Sequence, residues 1–143
     1  MPNPSPLQRL NHFLDTLRLK RQHRSSTGAR GEQAAADFLK QNKYKVIARN
    51  LRNRFGEVDL VALTPDGRAV VIVEVKTAER PDAMPELRVN KTKQHKLTAL
   101  AAQIARRYRL QNKPIRFDVI AINLPPDADP IVRHYPAAFE SNV

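Results

Sequence analysis

GEVDLVALTPDGRAVVIVEVK, residues 56–76, decides the fold of this chain. Two apolar runs, 58–63 and 69–76, flank TPDG at 64–67. Proline second and glycine fourth is the signature of a type I turn. The stretch therefore reads as a β-hairpin. Its second arm, AVVIVEVK, is apolar on both faces, as a central strand covered from both sides must be. Yet Glu57, Asp59, Glu74 and Lys76 interrupt the apolar runs.

Side chains alternate across a strand. Glu57 and Asp59 share one face of the first arm, and Glu74 and Lys76 share one face of the second. Two registers suit the turn. Closing Leu63 on Arg68 sets Asp59 diagonal to Glu74. Closing Thr64 on Ala69 sets Asp59 directly opposite Glu74. Both put the acids on one face, with Cβ atoms about 4.5–5.5 Å apart when opposite and about 7–8 Å when diagonal. Like charges this close repel, and burial penalises each of them. A cation must compensate, and Lys76 or a divalent metal can do so. Two carboxylates at this spacing suit Mg²⁺, which takes oxygen ligands at about 2.0–2.1 Å. The alternative is a surface hairpin whose acids and lysine are ordinary solvated charges.

Outward from the hairpin, 31–41 (GEQAAADFLKQ) has the spacing of a core helix, with Ala35, Ala36 and Leu39 on one face. Seven residues before Leu39, Glu32 points near the same side, in the first turn, where the helix dipole tolerates an acid and capping alone would explain one. Residues 44–49 alternate weakly as a strand, and 50–56 (NLRNRFG) reads as a turn or loop. Residues 77–89 lack periodicity and hold two prolines, so they read as a long loop. Asn90 can cap a helix running to about 110, with Leu97, Leu100, Ala101, Ile104 and Tyr108 as its apolar stripe. Lys91, Lys93 and Lys96 crowd its first turns, which the dipole disfavours unless an anion lies nearby. Residues 115–122 form a fourth strand, PPDADP breaks it, and IVRHY adds a short edge strand. The order α-β-β-β-α-β predicts one α/β domain over 28–143. It follows a basic N-terminal leader, 1–27, partly flexible, in which Leu7, Leu10, Phe13, Leu14 and Leu17 have helical spacing.

The chain has 143 residues, enough for one sizeable core. Lys and Arg number 25 against 14 Asp and Glu, a net charge of +11, with a pI of about 10.6. That excess points to a polyanion, above all nucleic acid. With no cysteine, disulfides, thiolate catalysis and Cys-ligated metal sites are excluded. No apolar run approaches the roughly 20 residues that span a bilayer. No signal-type segment opens the chain. A cytoplasmic protein with no membrane partner is expected. His12, His23, His95 and His134 are scattered, and no Gly-rich phosphate loop is present.

At Asp59 followed by Glu74-Val75-Lys76, the sequence resembles the PD-(D/E)xK nuclease superfamily. GARGEQAAADFL, ARNLRNRFGEVDLV, VVIVEVK and RFDVIAI, in that order, are similar to the YraN family within it. The resemblance covers about 27–123. It implies a restriction-endonuclease-like core, a mixed sheet flanked by helices. It implies Asp59 and Glu74 as ligands of Mg²⁺ or Mn²⁺, with the Val75 backbone carbonyl beside them. Lys76 would orient or help activate the attacking water. Glu32 matches an acid of archaeal-type Holliday junction resolvases and would complete the acidic site. Those enzymes are dimers, which implies a homodimer here. Glu57 fits the family's G-E-x-D-L pattern, as a water contact outside the ligand set. Lys91, Lys93, Gln94, Lys96, Arg52 and Arg54 would meet nucleic-acid phosphates. Asp118 belongs to a family block that strand structure would also explain.

The expected activity is metal-dependent hydrolysis of phosphodiester bonds in DNA, branched or damaged DNA in particular, with RNA also open as a partner. The alternative is a noncatalytic nucleic-acid-binding module on the same fold. A third is an interaction protein whose acids are structural.

Overall fold

The computed structural model describes residues 26–54, 56–78, 89–108 and 112–139, without the side chains at 53, 104, 105, 107 and 108. The expected leader up to residue 25, most of the long loop and the Ile104 and Tyr108 side chains lie outside the described residues.

Helix α1 (Ser26–Gln41) leads into strands β1 (Lys45–Asn53), β2 (Gly56–Leu63) and β3 (Val70–Ala78). Helix α2 (Lys91–Tyr108), β4 (Ile115–Asn123) and β5 (Ile131–Phe139) follow. The strands form one mixed sheet in the order β1-β2-β3-β4-β5. Only β3 and β4 pair in parallel; the other three pairings are antiparallel. β3 is the central strand, as its apolar run requires. The expected α-β-β-β-α-β order is present, with β5 as the added edge.

The hairpin turn forms as its residues dictate. The Gly67 N–H donates to Thr64 O at 2.8 Å, and the Thr64 N–H donates to Ala69 O at 3.1 Å. Asp66 Oδ1 accepts from the Arg68 N–H at 3.0 Å. The loop therefore closes Thr64 on Ala69, the second of the two registers, and Leu63 pairs with Val70.

Among the described residues, each sheet face carries one helix. Ala35, Ala36 and Leu39 of α1 pack on Leu60, Ala62, Val71, Val73, Ile120 and Ile122. Leu97, Leu100 and Ala101 of α2 pack on Val58, Val61, Ile72, Phe117 and Val119. Each fully buried Leu or Ile contributes about 1.5–3 kcal/mol. α1 can lie close to β3 because residue 31 is glycine; a Cβ there would run into the Thr77 side chain. Asn90 caps α2, its Oδ1 accepting the Lys93 N–H at 2.8 Å.

Two expectations need correction. Residues 50–53, read as loop, belong to β1, whose pairing with β2 continues to Asn53 and Gly56. A bulge between Val46 and Ala48 and a positive φ of 55° at Asn50 break the strict alternation that marks a strand. β5 is nine residues long rather than a short addition. It carries Pro136, which an edge strand tolerates.

Candidate metal centre and basic cleft

The paired register of β2 and β3 ends at Leu60 and Val73, and Asp59 and Glu74 follow just beyond it. Glu74 occupies the α2 face of the sheet, because Ile72, two residues before it, belongs to the α2-side core, and Asp59 lies close enough for its charge to act on Glu74. Asp59 does not simply continue the ladder. Its Oδ2 accepts the Val75 N–H at 2.8 Å. A strand residue directs its N–H and C=O to the same neighbour. The Val75 carbonyl therefore faces the Asp59 side too, and three oxygen-bearing groups border one spot.

Glu74 is only 5% exposed. Its Oε1 accepts from Lys93 Nζ at 2.7 Å and lies 3.9 Å from Lys76 Nζ. Its Oε2 is buried with no hydrogen-bond partner among the described residues. Burial, with the Asp59 charge beside it, pushes the Glu74 carboxyl up to about 7, against the pull of Lys93 and Lys76. Burial pulls the Lys93 ammonium down. Its hydrogen bond to Glu74, with the charges of Glu74, Asp59 and Glu57, outweighs that and leaves it above the ordinary lysine value. The anion that tolerates a lysine in the first turn of α2 is thus the Glu74 carboxylate.

Glu57 lies at the mouth, 46% exposed and 4.0 Å from Lys93 Nζ. Outside it a cleft of about 710 Å³ is lined by Arg52, Arg54, Gly56, Glu57, Asn90, Thr92, Lys93 and Lys96. The tip of the β1–β2 hairpin forms one wall and the first turns of α2 the other. Gly56 brings the walls together. Its φ is 146°, and a Cβ there would stand 3.1 Å from Lys96 Cβ. Arg52 and Lys96 are exposed on opposite walls. Gln94 turns away from the cleft, donating to Val89 O at 2.7 Å. Lys91 lines a smaller pocket with Gln94, Val119 and Phe139.

The structure thus brings Asp59, Glu74, Val75, Lys76 and Glu57 into one region and adds Lys93 to it. Glu32 is buried on α1, on the helix face that packs against the opposite side of the sheet. Among the described residues no three acid or histidine side chains converge as a metal-holding group. What fits a divalent cation is a pair of carboxylates plus the Val75 carbonyl. All are hard oxygen donors, as Mg²⁺ and Mn²⁺ prefer, and one carboxylate oxygen is buried and unsatisfied.

Asp118 has a different setting, which sequence reasoning did not resolve. It is fully buried on the α1 face. Arg116 grips it with two hydrogen bonds of 2.8 Å, from Nε and from an Nη that also reaches Tyr44 Oη. His134 Nε2 lies 2.7 Å from its Oδ2, and the Ala137 N–H donates to Oδ1 at 3.0 Å. Phe38 and Tyr44 pack edge-on against the His134 ring. Arg116 and Asp118, two apart on one strand, were a readable pair. The partners from β5 and from Tyr44 depend on topology.

The model of the family described as "Uncharacterised protein family UPF0102" matches residues 31–122. A UPF0102 protein of Trichlorobacter lovleyi is 40% identical over 116 residues, 80% of this chain and 91% of its own length. One from Geobacter sulfurreducens is 42% identical over 120 residues, 82% of this chain and 91% of its own. One from Symbiobacterium thermophilum is 45% identical over 101 residues, 70% and 84% respectively. The matched span holds every acid of the candidate centre.

Proposed function

This chain belongs to the UPF0102 family, the YraN family of the sequence reading, and from its site we propose a divalent-cation-dependent endonuclease that hydrolyses phosphodiester bonds in DNA, branched or damaged DNA foremost. The observation that carries this reading is Glu74: a buried carboxylate with an unsatisfied oxygen, beside Asp59 and joined through Lys93 to a basic cleft. A structural acid at this depth would be fully hydrogen-bonded.

Asp59, Glu74 and the Val75 carbonyl would hold Mg²⁺ or Mn²⁺. A cation there supplies a polarised phosphoryl oxygen and a more acidic water. The protein's own groups do the rest. Lys76 projects on the same face as Glu74, and its ammonium would donate hydrogen bonds to the non-bridging oxygens as charge develops on the phosphorane. Arg52, Arg54 and Lys96 hold phosphates on either side of the scissile one through backbone charge, without reading bases. Water attacks phosphorus and gives up a proton to solvent, the P–O bond to the leaving strand breaks, and the leaving oxygen takes up a proton from solvent.

A second reading has its own observation. Lys93 already compensates Glu74 at 2.7 Å, so a noncatalytic nucleic-acid-binding module would hold its acids together without an ion. A cleavage assay decides. Nicked, four-way, flapped, single-stranded and duplex DNA, with matched RNA, are incubated with Mg²⁺ or Mn²⁺ and with chelator. Wild type is compared with Asp59→Asn and Glu74→Gln. Cleavage by wild type that needs the ion and both acids supports the nuclease. Salt-sensitive binding with no cleavage of any substrate supports the module.

A further inference from the structure

Sequence reasoning placed Lys93 among the phosphate contacts, but its ammonium lies against Glu74. Lys93 is closer to Glu74 than Lys76 is, 2.7 Å against 3.9 Å, although Lys76 is the lysine the family motif would put in this site. Lys93 also lines the cleft, as does Glu57, 4.0 Å from its Nζ. Its side chain thus connects two places: the buried carboxylate and the open basic groove.

The charges of this cluster set the direction of any exchange. Glu57, Asp59 and Glu74 carry three negative charges, and Lys76 and Lys93 carry two positive ones. The cluster is one positive charge short of balance. A divalent cation added with Lys93 in place overshoots to +1, with two cations on one small carboxylate. If Lys93 leaves as the ion arrives, three negatives meet Lys76 and two ionic charges, and the sum is zero. Like charges around a single buried carboxylate repel strongly, because the low local dielectric screens them poorly. The four-carbon stem of lysine lets its ammonium move without any backbone change. Glu57, half exposed at the mouth, offers the displaced ammonium a partner on the way out.

We infer that Lys93 is the resident counter-ion of Glu74, that a divalent cation displaces it, and that the displaced ammonium then joins Arg52, Arg54 and Lys96 as a phosphate ligand in the cleft. This rests on the reading of Asp59 and Glu74 as an ion site. Three consequences follow from the geometry. The ion-free protein is not left with an uncompensated buried acid. The groove gains a positive charge when the ion is in place. Ion loading and phosphate binding strengthen each other, and linkage requires this coupling to be reciprocal.

The test reads Lys93 itself rather than turnover. The intact protein is treated briefly with acetic anhydride, and modification of each lysine is quantified by mass spectrometry, with and without Mg²⁺. Wild type is compared with Glu74→Gln, and Mn²⁺ binding is followed in parallel by calorimetry. Lys40, exposed near the end of α1, serves as the internal standard. In wild type without ion, Lys93 should be modified several-fold more slowly than Lys40. Mg²⁺ should raise its reactivity several-fold and leave Lys40 unchanged. In Glu74→Gln, Lys93 should react fast with or without ion. If wild type binds Mn²⁺ by calorimetry while Lys93 stays protected, the exchange is overturned and the ion site stands. If wild type binds no divalent ion, the ion site and the exchange both fall. If Glu74→Gln leaves Lys93 as protected as wild type, Glu74 is not what holds it, and the inference fails. Circular dichroism of Glu74→Gln confirms that its fold is retained.

Discussion

Asp118 and Glu74 are both buried carboxylates in one sheet, on neighbouring central strands, 0% and 5% exposed. They face opposite helices, and their surroundings treat them in opposite ways. Asp118 accepts hydrogen bonds at both oxygens from Arg116, His134 and the Ala137 amide. Burial pushes its carboxyl up, but those partners outweigh burial and hold it below the ordinary aspartate value. Glu74 keeps one oxygen unpaired, and burial with Asp59 beside it raises it far above the ordinary glutamate value. A carboxylate that serves the fold is saturated. Glu74 has one oxygen on Lys93 and the other without a partner among the described residues. Perturbation of this second kind, in a cleft, is where functional groups gather.

The sharpest way to break the comparison is turnover on whichever DNA wild type cleaves. Glu74→Gln should lose several tenfold steps of rate, each about 1.4 kcal/mol of barrier, and should lose Mn²⁺ binding with them. Lys76→Ala should lose a comparable rate but retain Mn²⁺, since an ammonium cannot ligate a cation. Asp118→Asn, corrected for the folded fraction, should cleave within about twofold of wild type, because it touches only the fold. Single-turnover kinetics beside calorimetry makes the measurement. Equal losses in Glu74→Gln and Asp118→Asn would erase the distinction between the two acids.

Stability should move in opposite directions. Asp118→Asn replaces the acceptor of a two-pronged Arg116 contact and leaves the guanidinium without its anion. Breaking a buried pair costs about 3–5 kcal/mol, and the partial exposure of Arg116 places this case near the lower end. Glu74→Gln removes a desolvated charge and keeps an acceptor for Lys93. At pH 8 without divalent ions it should unfold at higher urea, with a gain of about 1 kcal/mol. Urea midpoints at unchanged slope test both.

The acids should also leave separate marks on stability against pH. Glu74 binds its proton more tightly folded than unfolded. Its contribution is greatest below its unfolded value, near 4.5, and is lost as pH rises through about 7. Asp118 binds its proton less tightly when folded. Its contribution is present above its unfolded value, near 3.8, and is lost as pH falls through the lower folded value. In ion-free buffer, Glu74→Gln should flatten the decline between pH 4.5 and 7. Asp118→Asn should flatten only the acid limb. Melting temperatures across this range distinguish the two, and a Glu74→Gln curve parallel to wild type would remove Glu74 as the group responsible.

Much of this was legible in the chain, for reasons that can be named. TPDG left two closing pairs open, and both put Asp59 and Glu74 on one face, because alternation along a strand leaves little freedom. Asn90 announced α2 because a cap has a local mechanism. The contact of Lys93 with Glu74 was not legible, because a long flexible stem says nothing about where its end settles; the packing of α2 on the sheet brings it there. Alternation shows which residues share a face but not which helix covers it, so Glu32 could not be assigned to the face opposite Glu74. The second half of β1, 50–53, hid behind the turn of chain at Asn50. Asp118 kept two readings because His134 and Tyr44 come from remote parts of the chain.

The smallest effect sharpens the comparison most finely. Nucleic-acid affinity should fall with salt as phosphate contacts release counterions, each adding about 0.7 to 0.9 to the slope of log affinity against log salt, for single strands and duplex respectively. Arg52→Ala and Lys96→Ala sit on opposite cleft walls, and each should make the slope shallower by about one such contact, with the pair additive. Lys40→Ala, outside the cleft, should leave it unchanged. The two buried acids then part company once more. Asp118→Asn alters no group in the cleft, so its slope should match that of wild type. Glu74→Gln releases Lys93 from its ionic partner and gives the groove another ammonium, so its slope should steepen, by at most one contact. Fluorescence anisotropy on a labelled duplex from 50 to 200 mM salt, without divalent ions, resolves a change of this size. Equal slopes for Glu74→Gln and wild type would mean that the Lys93 ammonium does not reach phosphate even without the Glu74 charge to hold it.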